Sequence, residues 1–159
     1  MDYYIINKID RLIRLILGIL FICIAFLALI APVIQSLYGY PSGEKIYSFL
    51  SPICHQYPTR SLWITNRPFA LSSRCLGGYL GLGLSFLIIH SYLKYIKRLV
   101  LGLLLVIPGI LDGFFQLITN YESINIIRFI SGLCAGLGLF YIVYPLKGNK
   151  ITQQKEYLK

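Results

Sequence analysis

Reactive side chains gather in two short stretches of this chain, Cys54-His55-Gln56 and Arg74-Cys75, the second at the mouth of an apolar segment. A third stretch, also apolar, carries Asp112 and Gln116 one helical turn apart. Charged, thiol and amide groups are costly near a lipid hydrocarbon core, so their presence there points to a site. Three chemistries fit these residue types. Cys54, His55 and Cys75 are a mixed sulfur and nitrogen set suited to a soft metal ion, zinc or copper, with Asp112 as a further oxygen donor. This is the leading functional expectation.

The second is nucleophilic catalysis. Cys75 would open a helix beside Arg74, and a helix N-terminus and a neighbouring cation both lower a thiol pKa. His55 would then be its base and Asp112 the group that orients the base. The third is structural: Cys54 and Cys75 could join as a disulfide if they face an oxidising compartment. Arg60, Arg74 and Arg128 add guanidinium forks, which suit phosphate. With Gln116 they form an expected substrate-binding set for an anionic lipid headgroup or lipid-linked anion. Ordinary explanations exist for each residue. Asp112 could pair with Arg128 or Arg74, Gln116 could bond neighbouring helices, and the arginines could snorkel to the headgroups. Cys23 and Cys134 read as small apolar residues, and His90 as interfacial.

The elements that must position these residues follow from composition. Of 159 residues, 57% are hydrophobic and only 13% charged, and mean hydropathy is +0.69. A soluble domain of this size needs more polar surface, so the expected class is an all-α integral membrane protein. The net charge of +9 would suggest nucleic acid in a soluble protein. Here the basic residues mostly flank apolar runs, where they set orientation and meet anionic headgroups, so the expected partner is the bilayer and not nucleic acid.

Four spans are predicted, at 12–34, 76–93, 99–118 and 126–144, each close to the roughly 20 residues that cross a hydrocarbon core. The first follows Lys8, Arg11 and Arg14 and reads as a retained signal anchor, its apolar run being too long for an ordinary signal peptide. Residues 1–146 form one predicted transmembrane domain, and 147–159 a basic cytoplasmic tail. Cations gather before the first span, at Lys94, Lys97 and Arg98, and in the tail. The positive-inside rule therefore predicts a cell-membrane protein with both termini in the cytoplasm.

The 35–75 connection is then extracytoplasmic and too long for a simple link. Ile46, Phe49, Leu50 and Ile53 recur at helical spacing, which predicts a short amphipathic helix opened by Ser42-Gly43. Irregular backbone with Trp63 as an interfacial anchor is expected after it. The loop caps the outer face, and the depths of Cys75, Asp112, Gln116 and Arg128 place them in the same outer layer. The glycine pairs 77/81, 109/113 and 132/136 each fall on one helix face, as in closely packed membrane helices.

Taken in order, these blocks resemble a known pattern. Cys54-His55-Gln56-Tyr57-Pro58-Thr59-Arg60-Ser61 resembles the CHQ-x-P-x-RS motif of a prokaryotic family of small membrane proteins of unknown function. Ser72-Ser73-Arg74-Cys75-Leu76-Gly77-Gly78-Tyr79-Leu80-Gly81 is similar to that family's C-x-RC-x-G-x-Y-x-G, and the segment from Pro108 to Gln116 to its P-x-x-x-DG-x-x-Q. Arg128 and Gly132 match its R-x-x-x-G. The resemblance implies a multi-pass membrane protein and no particular activity. One position departs: Ser72 stands where the family pattern has a cysteine, so a Cys-x-x-Cys couple is impossible here and a metal site would lack one thiolate.

Overall fold

The computed structural model describes residues 2–88, 95–119 and 121–144. His90, Lys94 and the predicted tail 147–159 lie outside them. The order is α1 (Asp2–Tyr38), α2 (Tyr40–Leu50), two 3-10 turns (Ser51–Ile53 and Pro58–Arg60), β1 (Trp63–Ile64), β2 (Arg67–Pro68), α3 (Ser73–Ile88), α4 (Tyr95–Ile118) and α5 (Asn125–Val143).

Glycine decides how closely the helices approach. A Cβ on Gly77 would collide with the carbonyl of Phe129, and one on Gly81 with that of Leu133. From the other side, Gly132 abuts the carbonyl of Arg74, and Gly136 that of Gly78. The pairs 77/81 and 132/136 thus form a single seam that brings α3 and α5 into backbone contact. The 109/113 pair behaves differently. A Cβ on Gly109 would meet Ser131 at an ordinary 3.4 Å, and Gly113 leaves room for the Arg74 guanidinium, 3.7 Å away.

A second consequence of residue type joins the loop to α1. Pro32 has no N–H, so the Ala28 carbonyl one turn earlier has no partner from within the helix. The N–H of Ala70 donates to it instead, at 3.2 Å. Ala25, Ala28 and Ala31 are fully buried beneath this contact, in one cluster with Leu50, Cys54, Ala70, Leu71 and Leu76. Burying a leucine such as Leu50 or Leu71 contributes about 1.5–3 kcal/mol. Arg67 Nη1 donates to Gln35 Oε1 at 3.1 Å and adds a polar tie to α1.

The segment between α1 and α3 is more ordered than its sequence suggests. Gly39, at φ 85°, turns the chain into α2, which starts at Tyr40 rather than at Ser42-Gly43. Its buried face is Gly43 and Leu50, with Ile46 packed on the cluster, whereas Phe49 and Ile53 are exposed. The expected apolar stripe is therefore only half used. The stretch around Trp63 is not wholly irregular: β1 and β2 pair as a two-residue hairpin, Trp63 opposite Pro68 and Ile64 opposite Arg67. Thr65 and Asn66 turn it with φ of 51° and 59°, as a primed hairpin turn requires.

Three described helices are long and apolar enough to cross a membrane: Lys8–Tyr38, Ile96–Ile118 and Asn125–Val143. The described part of α3 is 16 residues, short of a full crossing, and positions 89–93 of the expected fourth span lie outside the described residues. The fold is an all-α membrane protein. The surface agrees: Leu103, Leu104, Ile107, Ile110, Phe114 and Leu117 of α4 are all exposed, a surface that hydrocarbon accepts and water does not. Cys23 lies exposed on α1. A thiol is apolar enough to face acyl chains.

Candidate functional site

Three elements bring the thiols together. The turn Ser51–Ile53 ends at Cys54, whose backbone is extended (φ −156°, ψ 139°), and its side chain enters the cluster between the loop and α3 at only 6% exposure. Ser72 precedes α3, and its carbonyl accepts the first bond of that helix from Leu76 N–H at 2.9 Å. The Ser72 N–H donates to Cys54 Sγ at 3.2 Å, and the Ser72 hydroxyl oxygen lies 3.4 Å from the same sulfur. Gln56 takes a left-handed φ of 53°, anchors its amide Nε2 to the Tyr47 carbonyl at 2.7 Å, and directs its own N–H to Cys54. Cys75 packs against the cluster that holds Cys54, and its thiol is the largest influence on the Cys54 sulfur.

Four donors around one sulfur favour its anion. The hydrogen bond from Cys75, followed by those from Ser72 and Gln56, pulls the Cys54 thiol down to about 5 against the opposing effect of burial. Cys54 is therefore the thiolate of the pair and Cys75 the proton donor. The sequence pointed to Cys75 as the activated group; the donors gathered here favour charge on Cys54 in the resting pair. Helix N-terminus and Arg74 notwithstanding, Cys75 is adjacent to a stronger determinant, a second sulfur already supplied with N–H donors. All four cysteines are free thiols, so the expected structural disulfide is not formed here.

A polar network lies beside the thiols. Arg74 of α3 forms an ion pair with Asp112 of α4. The same Asp112 oxygen, Oδ2, accepts from Gln116 Nε2 at 3.0 Å and from the Ser123 hydroxyl at 3.2 Å. Ser123 in turn accepts from Gln116 at 2.7 Å and from Arg128 Nε at 3.1 Å. Arg128 Nη1 reaches Asn125 Oδ1 at 3.3 Å, and Asn125 Nδ2 donates to the Ser61 carbonyl at 2.9 Å. The chain of bonds thus runs from α3 through α4 and α5 to the loop. Arg128 is 4% exposed, yet its Nη2 has no hydrogen-bond partner among the described residues.

Between network and loop is a cavity of about 340 Å³. Arg60, Arg74 and Arg128 line it with Gln116, and Ser72 and Cys75 form the wall nearest the thiols. His55 and Tyr57 form the rim, with rings stacked at 5.8 Å and 12°, and the Arg60 guanidinium lies 5.9 Å from the Tyr57 centroid.

The structure thus brings Cys54 to Cys75, and Asp112 to Arg74, Gln116 and, through Ser123, Arg128. His55 it leaves exposed on Tyr57, with no hydrogen bond to Cys75 or Asp112 among the described residues. A base oriented by Asp112 is not assembled, because Arg74, Gln116 and Ser123 already share Oδ2. The zinc or copper expectation gains no support from the same geometry. Among the described residues no three His, Cys, Asp or Glu side chains are grouped to hold a metal, since His55 points outward while Cys54 is buried. Sequence reasoning missed Ser123 and Asn125. Their position immediately before and at the start of α5 was the available signal, since serine and asparagine at a helix start bond nearby groups.

The part of the chain that holds the site is also the part that matches a known family. The model of the family described as "Predicted membrane protein (DUF2085)" matches residues 54–142, from Cys54 to the last turn of α5. The chain belongs to this family. All the residues of the thiol pair, the network and the cavity fall within the family match, whereas α1 and α2 precede it. An uncharacterised protein of Methanothermobacter thermautotrophicus is 42% identical over 99 residues, covering 60% of this chain and 87% of that protein. The uncharacterised protein MJ1492 of Methanocaldococcus jannaschii is 35% identical over 106 residues, 64% of this chain and 67% of that protein. No solved structure matches.

Proposed function

We propose that the cavity binds a phosphate-type anion, carried by a lipid or lipid-linked headgroup, at the extracytoplasmic face of a four-span cell-membrane protein with both termini in the cytoplasm. The observation that carries this reading is the lining: Arg60, Arg74 and Arg128 all border the cavity, and Arg128, 4% exposed, keeps one guanidinium nitrogen without a hydrogen-bond partner among the described residues. Clustered guanidinium charge with little exposure to water is costly, and an anion in the cavity offsets part of that cost. Three arginines line the cavity, and the Asp112 carboxylate beside them is already engaged by Arg74. Arginine forks match the oxygen spacing of phosphate.

The distribution of Lys and Arg along the sequence supports the orientation. Arg60, Arg74, Gln116 and Arg128 act as binding residues in this reading. Cys75 contributes a wall of the cavity as a protonated thiol.

The test is native mass spectrometry of the protein released from nanodiscs holding equal phosphatidylglycerol and phosphatidylcholine, followed by titration with inorganic phosphate. The expected result is one retained anionic lipid, displaced by phosphate, with retention reduced at least tenfold in Arg128→Gln. Equal retention of neutral and anionic lipid would overturn the proposal. If lipid is not retained but phosphate binds, the ligand is a free anion and the lipid source is wrong.

A further inference from the structure

Cys54 and Cys75 differ in the two properties that matter for sulfur exchange, access and charge. Cys75 lines the cavity and is half-buried, so a ligand entering there can reach its sulfur. Cys54 is 6% exposed and cannot meet an external molecule, but it lies in hydrogen-bond contact with Cys75. The Ser72 N–H donates to its sulfur at 3.2 Å and favours the thiolate, and the Ser72 hydroxyl oxygen lies 3.4 Å from the same sulfur. An accessible thiol beside a shielded, donor-supplied one is the arrangement of an attacking and a resolving cysteine.

We propose that Cys54 and Cys75 are a reversible thiol–disulfide exchange couple, acting on a disulfide that enters the cavity. The resting pair is the Cys54 thiolate with the Cys75 thiol. Proton transfer from Cys75 to Cys54 gives the Cys75 thiolate, which attacks one sulfur of an external disulfide R–S–S–R′. That S–S bond breaks, R′S⁻ leaves, and it takes its proton from Cys54. The regenerated Cys54 thiolate then attacks the Cys75 sulfur, the Cys75–SR bond breaks, and RS⁻ leaves.

The sum is one disulfide consumed and one formed, with RS⁻ and R′SH released. The two protein sulfurs are oxidised and the two external sulfurs reduced. In the reverse direction Cys54 is the leaving group, and stabilised thiolates leave readily, so the oxidised couple is a competent acceptor of electrons from an incoming thiol. This goes beyond anion binding and does not depend on it.

The experiment uses full-length protein in a neutral detergent and phosphate-free buffer, equilibrated with mixtures of reduced and oxidised glutathione. Acid quenching, alkylation of free thiols and mass mapping of unreduced peptides follow. The expected result is a Cys54–Cys75 linked peptide whose fraction rises with the oxidised share and falls when the mixture is reversed.

Cys54→Ser is expected to abolish the link and leave glutathione on Cys75, which then has no resolving partner. Cys75→Ser is expected to abolish the link and leave Cys54 unmodified, because glutathione cannot reach it. If wild type carries glutathione on Cys75 without a link to Cys54, or links Cys23 or Cys134 instead, the couple is refuted. The wild-type map decides even if a variant fails to fold. Since the buffer holds no phosphate, failure of exchange leaves the anion reading untouched, and the converse holds.

Discussion

The Ser72 N–H donates to the Cys54 sulfur across 18 residues of sequence, at 3.2 Å, and the Ser72 hydroxyl lies 3.4 Å from the same sulfur. The side chain at position 72 therefore affects the charge state of a residue in a different turn. Titration of thiolate ultraviolet absorbance in wild type should show a midpoint at about 5 that is absent from Cys54→Ser. The sign follows from the donors: each favours the anion, so removing one raises the midpoint. Ser72→Ala, which keeps the N–H and loses the hydroxyl, should move it upward. Cys75→Ala should move it further, because the Cys75 hydrogen bond is the largest of the lowering causes. A midpoint unchanged in both variants would contradict the arrangement of donors.

Asp112→Asn should separate stability from binding. The substitution leaves Arg74, whose side chain is 37% exposed, without its counter-charge, but Asp112 is only 9% exposed and also accepts from Gln116 and Ser123, so a loss above the about 1 kcal/mol of an exposed pair is expected. It also removes the carboxylate that pairs with Arg74 beside the cavity, and phosphate affinity should rise severalfold. Thermal unfolding and phosphate titration on the same preparation check the opposite signs. A weaker affinity would mean that Asp112 shapes the cavity more than it neutralises it.

Gly132→Val places its Cβ against the carbonyl of Arg74 with no flexible side chain to give way. Forced overpacking typically costs 1–3 kcal/mol, and about that or more is expected here because the obstruction is backbone. Gly109→Ala, where the nearest atom is 3.4 Å away, should change stability by less than about 1 kcal/mol. Unfolding in mixed detergent compares the two. Equal losses would show that the α3–α5 seam is not the close contact of the bundle.

Orientation is tested by placing a cysteine at Ser42 in a Cys23→Ala, Cys134→Ala background and labelling intact cells with a membrane-impermeant maleimide. Labelling at Ser42→Cys is expected if the loop is extracytoplasmic. Protection until the cells are permeabilised would place the cavity on the cytoplasmic side and overturn the proposed location.

Much of this was legible in the residues. Apolar runs between clusters of basic residues announced a membrane protein, because hydrocarbon tolerates such surfaces and water does not. The expense of Asp112, Arg128, Cys54 and Cys75 near a bilayer marked them as site candidates; Arg128 and Cys75 line the cavity, while Asp112 and Cys54 lie behind its lining, against Arg74 and Ser72. The glycine spacing in α3 and α5 was visible as well. Its partner choice was not, since the identical spacing at 109/113 leaves room for an arginine instead of a backbone.

What the chain's order of residues determined by itself was composition and period: which segments are apolar helices, and which polar groups must find partners inside them. Those properties depend only on neighbours along the chain. Tertiary structure decided which partners are found. Asp112 took Arg74 and not Arg128, His55 turned out onto Tyr57 and away from the thiols, and the proton of the sulfur pair went to Cys75. Each outcome is set by competition among donors brought together from distant positions, and charge state in a shielded site depends on the nearest few ångströms of structure rather than on adjacency in sequence.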